Sequence, residues 1–241
     1  MKINSKELLL ILLLITGCNK EEILFENLVK KVELSKASLK ADGKDVLKVT
    51  LFFNIDAEIS KISGKASINN AIFQESKTNK LDLKPIKTIN NEIIAEFIIT
   101  STTLNSDHAL VLNVNEFEKR FEIQSIKSVP ASISLETSSF SVGEDFSDEI
   151  KLVATLKNEE EKSVSNGAKV VFMDLYDDGT SVNGVFRDEQ LSSNNESKTS
   201  AFYTPGIVSG NQFINIKAEV LDSLGNLSGI IDTKRIFITT N

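Results

Sequence analysis

Leu47-Lys48-Val49-Thr50-Leu51-Phe52-Phe53-Asn54-Ile55 alternates apolar with largely polar side chains. Successive residues of an extended strand point to opposite faces, so Leu47, Val49, Leu51, Phe53 and Ile55 fall on one face. Ile93, Ala95, Phe97 and Ile99 supply another such row behind a turn at Asn90-Asn91, and Phe117, Phe121 and Ile123 oppose Glu118, Arg120, Glu122 and Gln124. About a hundred residues on, the device returns. Ile150, Leu152, Ala154 and Leu156 form one row, followed by Ala168, Val170 and Phe172, by Ile214, Ile216, Ala218 and Val220, and by Ile236 and Ile238. Turns are expected at Asn158-Glu159, Asn166-Gly167, Asp178-Gly179, Pro205-Gly206 and Leu224-Gly225-Asn226. No long stretch has the 3.6-residue period of a helix. A row of apolar side chains needs a second sheet to cover it, so the chain reads as all-β, two tandem sandwiches of about 100 residues each. The boundaries expected are 31–128 and 129–241, with Val129-Pro130 as a stiff linker and few contacts across it.

Ahead of the strands, Lys2 and Lys6 precede an apolar run from Leu8 to Ile15 that ends in Ile15-Thr16-Gly17-Cys18. A membrane-spanning helix needs roughly 20 apolar residues, more than twice what this run supplies, so it suits an export signal rather than an anchor. Ile15-Thr16-Gly17-Cys18 resembles the bacterial lipobox. That resemblance implies that residues 1–17 are a lipoprotein signal peptide and that Cys18 carries lipid, with acyl chains of the palmitate kind holding the protein to a membrane. Cys18 is the single cysteine, so no disulfide can form within the chain and stability must come from core burial.

Asn19-Lys20-Glu21-Glu22 begins a lipidated tether, 18–30, and resembles the lysine-plus-acidic signal that sends lipoproteins of Bacteroidetes to the cell surface. The location implied is the outer face of the outer membrane, with Lys20, Glu21 and Glu22 as the export signal. Loss of residues 1–17 removes Lys2, Lys6 and Glu7 and leaves 25 basic against 33 acidic residues, a formal charge of −8. That balance opposes nucleic acid as a partner.

A further resemblance lies in the strands themselves. Ala37-Ser38-Leu39-Lys40-Ala41-Asp42-Gly43 leading into Leu47 is similar to the opening of the bacterial immunoglobulin-like domains of invasin- and intimin-type proteins. Ser139-Phe140-Ser141-Val142-Gly143, Asn166-Gly167-Ala168-Lys169-Val170-Val171-Phe172 and Thr199-Ser200-Ala201-Phe202-Tyr203-Thr204 continue the likeness in the second unit. The resemblance implies two immunoglobulin-like β-sandwiches. The first unit departs from it by lacking the mid-domain Gly-Ala-x-Val-x-Phe strand.

Catalytic signatures are absent from the sequence. The single histidine, His108, stands in the polar stretch Asn105-Ser106-Asp107-His108 and is expected in a loop, without a nucleophile elbow or a phosphate-cradling glycine loop elsewhere. Asp174, Asp177 and Asp178 beside Gly179 are the candidates for a calcium site, since that ion takes several oxygen ligands; their spacing departs from the Asp-x-Asp-x-Asp-Gly loop, and a solvated turn is the expectation. Glu159-Glu160-Glu161 reads as a charged hairpin tip. With no Trp and two Tyr, a sugar-stacking platform is not expected, and the Phe residues read as core. Asp222-Ser223-Leu224 resembles the O-glycosylation sequon of Bacteroidetes.

These readings point to a surface lipoprotein without enzymatic activity or cofactor, a binding or spacer module in adhesion or scaffolding. Its partners would be the membrane, through the lipid, and a protein or glycan. An accessory role in a glycan-uptake or secretion complex is the alternative.

Overall fold

The computed structural model describes residues 25–54, 58–144, 148–190 and 193–240. The leader, Cys18, Lys20, Glu21, Glu22 and Ile55 lie outside the described residues. A turn of helix, Phe25–Leu28, leads into β1 (Val29–Leu34), β2 (Ser38–Lys40), β3 (Val46–Phe53), β4 (Gly64–Ile68), β5 (Ala71–Phe73), β6 (Lys80–Asp82), β7 (Ile86–Lys87), β8 (Ile93–Ser101), β9 (His108–Val114) and β10 (Phe117–Ile126). After Val129-Pro130 follow β11 (Ser132–Thr137), β12 (Ser141–Gly143), β13 (Ile150–Lys157), β14 (Val170–Leu175), β15 (Val185–Arg187), β16 (Lys198–Thr204), β17 (Gln212–Leu221) and β18 (Leu227–Thr239). No helix among the described residues is long and apolar enough to cross a membrane.

The strands form four sheets in two pairs. In the first pair, β1-β3-β8-β5 with β7 also on β8 faces β2-β10-β9-β4-β6; in the second, β11-β13-β16-β15 faces β12-β18-β17-β14. The same wiring occurs twice, β1, β3 and β8 matching β11, β13 and β16, and β2, β10, β9 and β4 matching β12, β18, β17 and β14. Both halves also share an unusual edge. β2 runs parallel to β10, Ser38 opposite Gln124, and β12 runs parallel to β18, Ser141 opposite Phe237, whereas the other pairings are antiparallel. The mid-domain strand missing from the first unit's sequence is filled by β4. It shows only Ala66 and Ile68 as buried apolar residues, and the Leu83 side chain packs over its Gly64, where a Cβ would come within 2.8 Å of it.

Alternation sets what is buried. Leu47, Val49, Leu51 and Phe53 of β3 meet Ile93, Ala95, Phe97 and Ile99 of β8 in the first core; Ile150, Leu152, Ala154 and Leu156 of β13 meet the inward rows of β17 and β18 in the second. Each fully buried Leu or Ile contributes about 1.5–3 kcal/mol relative to exposure. The two clusters share no residue.

Four expectations are corrected. Phe25 and Val29, placed in the tether, are buried in the first core; two large apolar side chains gain more there than in a solvated spacer, and Lys119 reaches back to bind Glu26 at 2.7 Å. His108 is not a loop residue: it opens β9, is 1% exposed, and holds the Asn69 carbonyl oxygen 3.2 Å from Nδ1. Pro205-Gly206 is no turn. Both residues are buried, a Cβ on Gly206 would lie 2.6 Å from the Val182 carbonyl oxygen, and the chain bends instead at Ser209 and Gly210, where φ is 78°. Contacts across Val129-Pro130 are also not few: Asn166 N–H donates to the Thr103 carbonyl at 2.8 Å, and Lys40 Nζ to Glu160 Oε1 at 2.8 Å.

Candidate binding surface

The inward residues of β17 and β18 dictate which ones face out. With Ile214, Ile216, Ile236 and Ile238 in the core, the strand period turns Phe213, Asn215, Arg235 and Phe237 to the opposite face. Phe213 pairs with Phe237 in register, and Asn215 with Arg235. Their rings pack at 4.9 Å between centroids with planes inclined at 55°. The Arg235 guanidinium carbon sits 4.6 Å from the Phe213 centroid, a cation–π arrangement. Phe140, just before β12, lies beside this row: its carbonyl accepts the Phe237 N–H at 2.9 Å, and its side chain is 67% exposed.

One of the sequence-selected aspartates joins this face. Asp177 accepts from Asn215 Nδ2 at 2.8 Å and from Arg235 Nη2 at 3.1 Å, which orients the guanidinium on the ring. The other two point elsewhere. Asp174 is buried, accepting from Gly184 N–H at 2.6 Å and the Tyr203 hydroxyl at 3.0 Å through Oδ2, and from Ser181 Oγ at 3.2 Å through Oδ1. Asp178 accepts from the Thr180 hydroxyl at 2.7 Å and its N–H at 2.9 Å, bonds that hold its carboxyl below the usual range. The three candidate calcium ligands thus serve three separate structural tasks. Among the described residues no three His, Cys, Asp or Glu side chains converge as a metal site would require.

Ser223 stands exposed in the β17–β18 turn. Its neighbour Asp222 is occupied in shaping that turn, accepting from Leu224 and Asn226 N–H at 2.8 Å each.

The outward Phe pair was readable in the sequence. Phe213 adjoins Ile214, and Phe237 lies between Ile236 and Ile238, so any strand burying the isoleucines must expose the rings. Counting Phe as core overlooked that alternation. The link from Asp177 to Arg235 had no such signal, because it joins a loop to a strand 58 residues away. Chemically the face offers two rings, a guanidinium, a carboxylate and an amide, a set able to stack against a flat apolar surface while exchanging hydrogen bonds at its rim.

No family model matches the chain, and no curated protein matches its sequence. Among solved structures the chain is similar to invasin, described as a bacterial integrin-binding protein, at 16% identity and a TM-score of 0.61 over 88% of this chain and 39% of that one. The Yersinia pseudotuberculosis adhesin InvE aligns at 11% identity and a TM-score of 0.47, over 89% of this chain and 61% of that one. This chain therefore spans about two fifths of the length of the invasin chain. The likeness extends to the fold: the described residues form two tandem immunoglobulin-like β-sandwiches.

Proposed function

We propose that the protein is a non-enzymatic cell-surface lipoprotein whose sandwiches act as a binding module of the adhesion or scaffold kind. The supporting observation is the outward-facing Phe213–Phe237 pair, Phe213 exposed and Phe237 half-buried, with Arg235 held against it by Asp177. A pure spacer gains nothing from aromatic rings turned to water, whereas a binding face gains affinity from them. The lipid on Cys18 fixes the module to the outer membrane, and Lys20, Glu21 and Glu22 direct it outward. The donors and acceptors beside the rings also suit a sugar, which favours the accessory role in glycan uptake as the second reading.

Metabolic labelling with an acyl-chain analogue tests the anchor. The wild type takes up label and the Cys18→Ala variant does not; equal labelling of both removes the lipoprotein reading.

A further inference from the structure

The two sandwiches meet through buried polar groups rather than through a free linker. On the first unit the turn Ala41–Lys44 is shaped by Asp42, whose Oδ1 accepts from Lys44 N–H at 2.8 Å and Asp45 N–H at 2.7 Å. Gly43 supplies the positive φ of 72° that this turn requires. The other oxygen, Oδ2, is buried without a hydrogen-bond partner, and Asp42 as a whole is 0% exposed.

The second unit supplies the charge that faces it. The hairpin tip after β13 is closed by Asn158, whose Oδ1 accepts from Glu160 N–H at 2.9 Å and Lys162 N–H at 3.0 Å. This brings Lys162 Nζ within 3.7 Å of Asp42 Oδ2 and 2.7 Å of Glu160 Oε2. Glu160 Oε1 in turn accepts from Lys40 of the first unit at 2.8 Å, so charges alternate across the joint as Lys40, Glu160, Lys162, Asp42.

Hydroxyls and amides line the rest of the joint. Ser165 Oγ donates to the Ala41 carbonyl at 3.1 Å and accepts the Ser128 N–H at 2.8 Å, while Asn158 Nδ2 donates to Ser128 Oγ at 3.0 Å. Asn166 N–H donates to the Thr103 carbonyl at 2.8 Å. Asp42, Ser128, Asn158 and Ser165 are all buried, unlike residues of an open hinge. A buried carboxylate without a counter-charge is costly, so Lys162 stabilises the closed arrangement at the position where it is needed. Closure also carries little association entropy, because Val129-Pro130 keeps the surfaces at high effective concentration.

We infer that this joint locks the two sandwiches into one rigid body, with Lys162 as the counter-charge to the buried Asp42 and Glu160 as the bridge to Lys40. The module then presents the Phe213–Phe237 face in a fixed orientation relative to the tethered first unit.

Hydrogen exchange of the full chain in detergent tests this. The probe amide is Asn166 N–H, which bonds across the joint to the Thr103 carbonyl and to none of the four charged side chains; Leu51 and Ile216 N–H report on the two sandwiches. In Lys162→Met the Asn166 amide should exchange at least tenfold faster than in wild type while Leu51 and Ile216 keep their protection. An unchanged Asn166 rate overturns the inference. If Lys162→Met also loses protection at Leu51 or Ile216, Lys40→Met, which acts from the other side of the joint, decides it on the same criterion.

Discussion

The Tyr203 hydroxyl donates to Asp174 Oδ2 at 3.0 Å beneath the loop between β14 and β15, joining the two sheets of the second sandwich. Burial, and then the charge of Asp174, push the Tyr203 hydroxyl well above its ordinary value of 10.0. A phenol whose folded value is raised contributes stability below its unfolded value, and that contribution is lost as pH rises toward the folded one. Stability should therefore decline above pH 10 in wild type through this residue. Tyr203→Phe should cost about 1.5–3 kcal/mol at neutral pH, a charged hydrogen bond, and show a shallower alkaline decline in urea melts.

Gly184 sits against that same pair. A Cβ there would fall 2.5 Å from Tyr203 Cε2 and 2.7 Å from both Asp174 Oδ2 and the Thr204 carbonyl, so neither side chain nor backbone leaves room. Gly184→Ala should destabilise by about 1–3 kcal/mol through overpacking, read as a lower melting temperature. Gly179→Ala is a useful contrast: its cost should come from its φ of 85° alone, since no atom lies within 4 Å of the added carbon.

Acid should loosen the joint between the sandwiches. Hydrogen bonds from Lys162 first and then Lys40 lower the Glu160 carboxyl from 4.5 to about 2. A lowered carboxylate contributes above its unfolded value and loses that contribution as pH falls through the folded one. Lys162 lies on the same hairpin as Glu160, so the Lys40 hydrogen bond is the part of this shift that depends on closure, and through it Asn166 N–H exchange, corrected for its intrinsic pH dependence, should accelerate as pH falls below 4.5 toward 2 in wild type. Glu160→Gln should show that faster exchange already at pH 7.

Replacing Lys20, Glu21 and Glu22 together by Ala should leave acylation at Cys18 intact and protect the protein from protease added to whole cells. Cleavage equal to that of wild type would reduce the run to a spacer.

The aromatic face should carry binding. On an immobilised panel of glycans and cell-surface proteins, Phe213→Ala and Arg235→Ala should each weaken retention at least tenfold, with melting temperatures held near wild type because both side chains lie outside the core. Retention equal to wild type on every captured ligand would leave the sandwiches as a spacer.

The sequence by itself determined the class of fold and most of the core. A period of two can be satisfied only by strands with one covered face, so Leu47 to Phe53 and Ile150 to Leu156 announced their burial without any knowledge of partners. It was less informative where burial depends on neighbours distant in the chain. His108 looks like a loop residue until Asn69 closes over it, and Pro205-Gly206 looks like a turn until the backbone of Val182 and Asn183 packs against it. Asp174, Asp177 and Asp178 look like one acidic cluster, yet the end of β14 sends Asp174 inward to Tyr203 while the turn after it carries Asp177 out to Arg235. Glu160 reads as a solvated tip and becomes the bridge between two sandwiches. Side-chain alternation is a local property written in the order of residues, whereas the pairing of charges and the burial of polar groups are set by which surfaces meet, and only the tertiary structure decides that.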